Sequence, residues 1–347
     1  MRNFKCTSCG QKIYFENVSC LSCGMKLAFD AGPLAVVTLK PAADAGVYSI
    51  AGRDSRKLYR YCANHAHAAC NWLTPSEEQT GFCKACDLNR TIPNLAEPGS
   101  LDAWRELERA KKRLVYSLLR LGLPFDGTGT TRGPLSFDFL SGAMTGHADG
   151  VITIAIHEAD AVERERQKQQ FGEPYRSLLG HLRHESGHYY WMVLIEDTDA
   201  IGECRKLFGD EREDYAAALA RHHADGPPAD WDTRHVSAYA GSHPWEDWAE
   251  TWAHYLHMLA AVDTAEAEGM EPRAAGITWG SVWPFRSADV YRQASFEDLM
   301  ERWIPLSTAM NSLSRSMGHP DFYPFVIPGP AYDKLAFVHR VIRAGRR

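Results

Sequence analysis

Residues 180 to 191 read "GHLRHESGHYYW". Inside this stretch His184-Glu185-Ser186-Gly187-His188 fits the pattern His-Glu-x-x-His. On a helix, residues four apart lie one above the other, so His184 and His188 present an imidazole nitrogen each to a single ion. Glu185 is offset around the helix, where its carboxylate reaches a water held by that ion. Zinc lowers the pKa of such a water to roughly 7, and the carboxylate takes its proton as it attacks a carbonyl. The pattern fixes only three positions, so the reading depends on a third protein ligand elsewhere in the chain.

A histidine six residues past His188 would be one solution, but that position is Leu194. The other is a glutamate on a later helix, and "SAYAGSHPWEDWAETWAHYLH", residues 237 to 257, suits it. There Glu246 and Glu250 share a helix face among Trp245, Trp248 and Trp252. A carboxylate beside so many large apolar groups is costly unless it is paired or bound to metal. By spacing alone either carboxylate can face the ion. His222, His223, His235, His243, His254 and His257 read as surface or supporting residues rather than ligands.

The cysteines mark a different region. Eight of the nine lie in the first 86 residues and only Cys204 lies beyond. Cys6/Cys9 and Cys20/Cys23 form two Cys-x-x-Cys-Gly knuckles, with the β-prone stretch "QKIYFEN" between them reading as a short hairpin. Four thiolates so arranged make a closed tetrahedral site suited to structural zinc, with iron as a minor rival. Cys62, Cys70, Cys83 and Cys86 read as a second four-cysteine zinc site. Cys62-x-x-His65 leaves His65 as an alternative to Cys70. Both clusters read chiefly as folding staples, since a small domain gains from bound metal what its core lacks.

At 347 residues the chain suits two domains, and its net charge of -6 argues against a general nucleic-acid or membrane-surface binder. No apolar run approaches the ~18 residues needed to span a bilayer. Cysteine pairs occupy the place of a signal peptide's apolar segment, so a cytoplasmic protein is expected. After "IPNLAEPGS" the composition changes. Ser100 caps a helix over "LDAWRELERAKKRLVYSLLRLG", which Gly122 and Pro124 end. A glycine-rich loop and the strand-like "GVITIAI", residues 150 to 156, follow. Helices are expected over 158 to 170, 176 to 195, "DEREDYAAALARHH" and "WEDWAETWAHYLHMLAAV". The expected fold is α+β. A zinc-ribbon region, residues 1 to 97, precedes a mostly helical zincin-like domain with a small sheet, residues 98 to 347.

"HESGH" followed by "YAGSHPWEDWAETWA" resembles a gluzincin metallopeptidase, and the second stretch is similar to the third-ligand helix of anthrax lethal factor-like peptidases. That resemblance implies that Glu246 binds zinc, that Tyr239, seven residues earlier, stabilises the oxyanion, and that Glu250 orients a ligand. Asp247 stands where the pattern has an aromatic. The chain as a whole resembles a bacterial family of zinc-binding metallopeptidases with an N-terminal zinc-ribbon region. The matching stretches include "CNWL", "LNRTIPNL", "GVITIAIHEADAVERER", "GEPYRSLLGHLRHESGHYYW" and "PWEDWAETWAHYLH". The implied function is hydrolysis of a peptide bond by a Glu185-activated, zinc-bound water, with one catalytic and two structural zinc ions. A peptide or protein is the implied substrate, and the strand over 150 to 156 is a candidate to pair with it. Two other readings stand beside this one. One is a zinc-ribbon adaptor with a vestigial central site, and the other a zinc hydrolase or deamidase of a non-peptide amide.

Overall fold

The computed structural model describes residues 2–54, 56–128, 133–171, 176–270, 289–292 and 294–346. Residues 129 to 132 of the glycine-rich loop, 172 to 175 of the family-like stretch and 271 to 288 of the C-terminal third lie outside them. The architecture is α+β, in two compact units. One comprises Met1–Arg120, Ser136–Thr145 and Thr153–Ala161, the other Leu121–Leu135, Gly146–Ile152 and Val162–Arg347.

The first unit opens on β1 (Phe4–Lys5) and β2 (Lys12–Ile13), which pair antiparallel across the first knuckle. The stretch "QKIYFEN" is therefore not a hairpin in itself. Its first half pairs backwards with β1, and its second half turns where Asn17 N–H donates to Tyr14 O. The cause is the knuckle, which brings its own flanks into register. Cys6 N–H donates to Gln11 O and Gly10 N–H to Cys6 O; Cys20 to Met25 and Gly24 to Cys20 repeat both bonds. Gly10 and Gly24 hold φ of 77° and 70°, a region that disfavours side chains.

Five strands follow as one antiparallel sheet in sequence order, namely β3 (Leu27–Asp30), β4 (Ala35–Pro41), β5 (Tyr48–Ile50), β6 (Tyr59–Tyr61) and β7 (Leu73–Pro75). Phe29 N–H donates to Asn71 O, tying β3 back to the approach to β7. β8 (Asn89–Thr91) pairs in parallel with β9 (Ser136–Leu140). Helix α1 (Ser100–Leu121) packs into this unit, and its Val115 and Tyr116 share one buried cluster with Phe15, Phe29, Trp72 and six of the cysteines. The apolar face of α1 is thus covered by the cysteine region.

In the second unit β10 (Gly146–Ala148) precedes β11 (Val151–Ala155), whose last three residues belong to the first unit. β11 has β10 on one side and β9 on the other, so it is an inner strand and β10 is the edge. The helices are α2 (Ala161–Phe171), α3 (Leu178–Leu194), α4 (Ile201–Phe208), α5 (Tyr215–Asp225), α6 (Trp231–Arg234), α7 (Pro244–Ala267), α8 (Phe296–Ser316) and α9 (Gly329–Ala344). α5 starts five residues later than its sequence stretch, because the Asp214 side chain accepts from Ala217 N–H and caps it there. α7 is buried along most of its length and packs against α3, α8 and α9. A helix apolar on nearly every side is a core helix. Among the described residues no helix is long and apolar enough to cross a membrane.

Candidate metal centre

Two capped helices set the centre. Ser177 caps α3 by accepting from Gly180 N–H at 3.0 Å. His243 caps α7, its Nδ1 accepting from Trp245 N–H at 3.1 Å while its Nε2 lies 3.1 Å from Glu213 O. Nδ1 is the acceptor, so the proton sits on Nε2 and donates to that carbonyl. Pro244 then occupies the first turn, where a missing N–H costs nothing.

α3 and α7 approach closely enough to tie backbone to side chain. The Trp248 indole donates to Gly187 O at 2.8 Å and the Trp252 indole to Ser186 Oγ at 3.1 Å. This contact brings His184, His188 and Glu246 together, with one candidate ligand atom from each lying within 4.8 Å of the others. His184 Nε2 is 2.9 Å from Glu246 Oε2, and His188 Nε2 is 3.5 Å from Glu246 Oε1. The Glu246 side chain is 1% exposed, yet Oε2 has no hydrogen-bond donor placed to satisfy it among the described residues. A buried carboxylate oxygen aimed at two imidazole nitrogens fits a divalent ion.

Glu250 stands on the other side of the ring. Its Oε1 is 2.7 Å from His184 Nδ1, and its Oε2 accepts from Ser237 Oγ at 2.6 Å. A carboxylate bonded to the far nitrogen of a ligating histidine fixes that ring's tautomer and orientation. Burial works against charge on His184, but the Glu246 and Glu250 carboxylates outweigh it and raise its pKa well above the usual value. Burial likewise opposes charge on Glu246, and His188 and His184 together pull its pKa well below the usual range.

Glu185 lies between the two imidazoles in sequence, buried on α3. Two phenols face the same space. The Tyr239 ring is 5.9 Å from that of His184. Burial, followed by the charges of Glu246, Glu250 and Glu185, pushes its pKa far up, so it stays a donor. Tyr215, which sequence reasoning missed, donates to Glu246 Oε1 at 2.7 Å. No motif announces it, and it reaches the site only because α5 begins there. The Trp245 ring lies 4.1 Å from His188 and 6.4 Å from His147 on β10. Asp247, fully buried, pairs with Lys334 on α9 at 2.6 Å and with His235 at 3.0 Å. The acid that replaces an aromatic thus becomes a tie between α7 and α9.

In the first unit the two cysteine quartets also gather. Sulfur separations of 3.7 Å (Cys6–Cys23), 3.6 Å (Cys9–Cys20) and 3.7 Å (Cys70–Cys83) are far too long for disulfides. They match the edge of about 3.8 Å of a tetrahedron with 2.3 Å zinc–sulfur bonds. The second quartet assembles Cys62, Cys70, Cys83 and Cys86, while His65 Nδ1 bonds Cys70 O at 2.8 Å and its ring stacks on Tyr61. Lys111 and Lys112 are buried beside this quartet with Glu108 as their common carboxylate. Their surplus positive charge is what four thiolates around a divalent ion would offset.

Comparison with known proteins gives the family. The family described as "Putative zinc-binding metallo-peptidase" matches residues 100–341, and a zinc-ribbon domain family matches residues 3–97. An uncharacterized protein of Mycobacterium bovis is 41% identical over 350 residues, covering 99% of this chain and 95% of its own length. Uncharacterized proteins of two Mycobacterium tuberculosis strains match to the same extent. No solved structure matches the chain. The chain belongs to this family of zinc-binding metallopeptidases, whose region follows an N-terminal zinc-ribbon domain.

Proposed function

We propose that the chain is a gluzincin-type peptidase with one catalytic and two structural zinc ions. His184 and His188 through Nε2, and Glu246 through a carboxylate oxygen, would hold the catalytic ion. The observation that carries the reading is the convergence of these three groups on one point, with a buried carboxylate oxygen left for a cation. Zinc bound there supplies a Lewis acid for a carbonyl and for water. Glu185 takes the proton of the attacking water and delivers it to the departing amine. Tyr239, kept protonated, donates to the carbonyl oxygen as it gains negative charge. Glu250 and Ser237 hold the His184 ring in place. A peptide rather than a small amide is favoured by the edge strand β10, beside which an extended chain can add. None of the nine cysteines forms a disulfide, which suits a reducing, cytoplasmic compartment.

The test is Glu185→Gln in the zinc-loaded protein. It should retain its zinc and lose cleavage of a peptide library that the wild type cleaves, with a rate loss of roughly 10²–10⁴. Undiminished cleavage by the variant would overturn the mechanism.

A further inference from the structure

The two oxygens of Glu246 have different surroundings. Oε1 accepts the Tyr215 phenol at 2.7 Å, while Oε2 has no hydrogen-bond donor among the described residues and faces His184 Nε2 at 2.9 Å. Both oxygens belong to a side chain that is 1% exposed, so water is not the natural partner of either. Resting on the peptidase reading, we infer that Tyr215 is a positioning residue that holds Glu246 as a one-oxygen ligand. Its hydroxyl takes up lone-pair density of Oε1, which lies 3.5 Å from His188 Nε2, while Oε2, 2.9 Å from His184 Nε2, is the oxygen left free for the ion. A carboxylate that binds through both oxygens fills an extra vertex; one that binds through a single oxygen leaves that vertex for water and substrate.

The placement of the phenol supports a positioning role. Tyr215 is the first residue of α5, held there by the Asp214 cap. Its ring packs edge-on against His243, the residue that caps α7, with centroids 5.2 Å apart, and against Trp245 at 5.9 Å. The cap of the third-ligand helix and the phenol on its carboxylate are thus one packed group. Tyr239 is the other phenol near the ion, its ring 5.9 Å from that of His184, and its hydroxyl is hydrogen-bonded to that of Tyr215, which alone of the two donates to Glu246 among the described residues. The two tyrosines divide the work, Tyr215 on the ligand and Tyr239 toward the substrate.

The variant is Tyr215→Phe, which keeps the ring and its contacts and removes only the hydroxyl. Tyr215 is 38% exposed, so the change leaves folding intact, and unchanged thermal unfolding verifies this. Two properties of the third metal site are read. One is zinc affinity by competition with a chelator. The other is the visible spectrum of cobalt in that site, taken as a difference against cobalt-treated His188→Ala protein, which keeps both cysteine quartets. We expect affinity to fall roughly 10- to 100-fold, as for loss of other groups that orient a ligand. We also expect the cobalt bands to weaken as the carboxylate chelates and coordination number rises. Unchanged affinity together with an unchanged spectrum would overturn the inference and leave the peptidase reading standing. A wild-type protein that takes up no cobalt beyond the cysteine sites would sink both.

Discussion

Gly187 sits inside the His-Glu-x-x-His stretch at the closest approach of α3 and α7. A Cβ added there would meet Ala249 Cα at 2.9 Å, Trp252 Cδ1 at 3.2 Å and Ala249 Cβ at 3.3 Å. Ordinary contact begins at 3.4 Å, and the first obstacle is backbone, so the helices must separate by about 0.5 Å. Such overpacking costs about 1–3 kcal/mol. Alanine returns about 1 kcal/mol through helix propensity, so Gly187→Ala loses roughly 0–2 kcal/mol in urea unfolding. The larger effect falls on the metal. His184 and His188 ride on one helix and Glu246 on the other, and such sites lose binding once their groups move by about 0.5 Å. The affinity of the third zinc should therefore drop about tenfold or more, measured by chelator competition. A variant that holds this zinc as tightly as wild type, and is about 1 kcal/mol more stable, would refute the close-contact argument.

Lys334→Met leaves Asp247 buried with His235 as its one side-chain partner among the described residues, and should cost about 3 kcal/mol or more in urea unfolding. Asp247→Phe in the same chain restores the aromatic of the related helix and should recover most of that loss; no recovery would contradict the pairing. Burial holds His254 near 4, despite the opposing charge of Glu250, and His339 near 4. Both are neutral in the folded chain, whereas the unfolded chain protonates near 6.5, so stability is full above that value and falls as pH drops from about 6.5 to 4. The distance from 6.5 to 4 corresponds to about 3 kcal/mol for His254. His254→Gln should flatten the fall between pH 7 and 4.5 by a measurable part of that, and an identical slope in both proteins would count against it.

The features legible in the sequence are those with local spacing. Each Cys-x-x-Cys pair closes within its own turn, and His184 and His188 share a helix face by periodicity alone. Glu246 and Glu250 were equivalent by that rule, since both lie on one face of α7. In the fold they differ in which nitrogen of His184 each one meets, a matter of helix rotation that no spacing encodes. Tyr215 was illegible for the same reason, being brought to Glu246 only by the course of α4 and α5. Sheet order is likewise non-local, so "GVITIAI" read correctly as a strand but not as an inner one flanked by β10. The apolar stripe of α1 was plain, yet nothing in it named the cysteine region as its cover.

The most direct measurement is zinc bound per chain in wild type and in Glu246→Ala, after dialysis against a weak chelator. Three ions in the wild type and two in the variant, with the variant still folded, are the expected result. Two ions in both proteins, or three in both, would contradict a centre held by His184, His188 and Glu246.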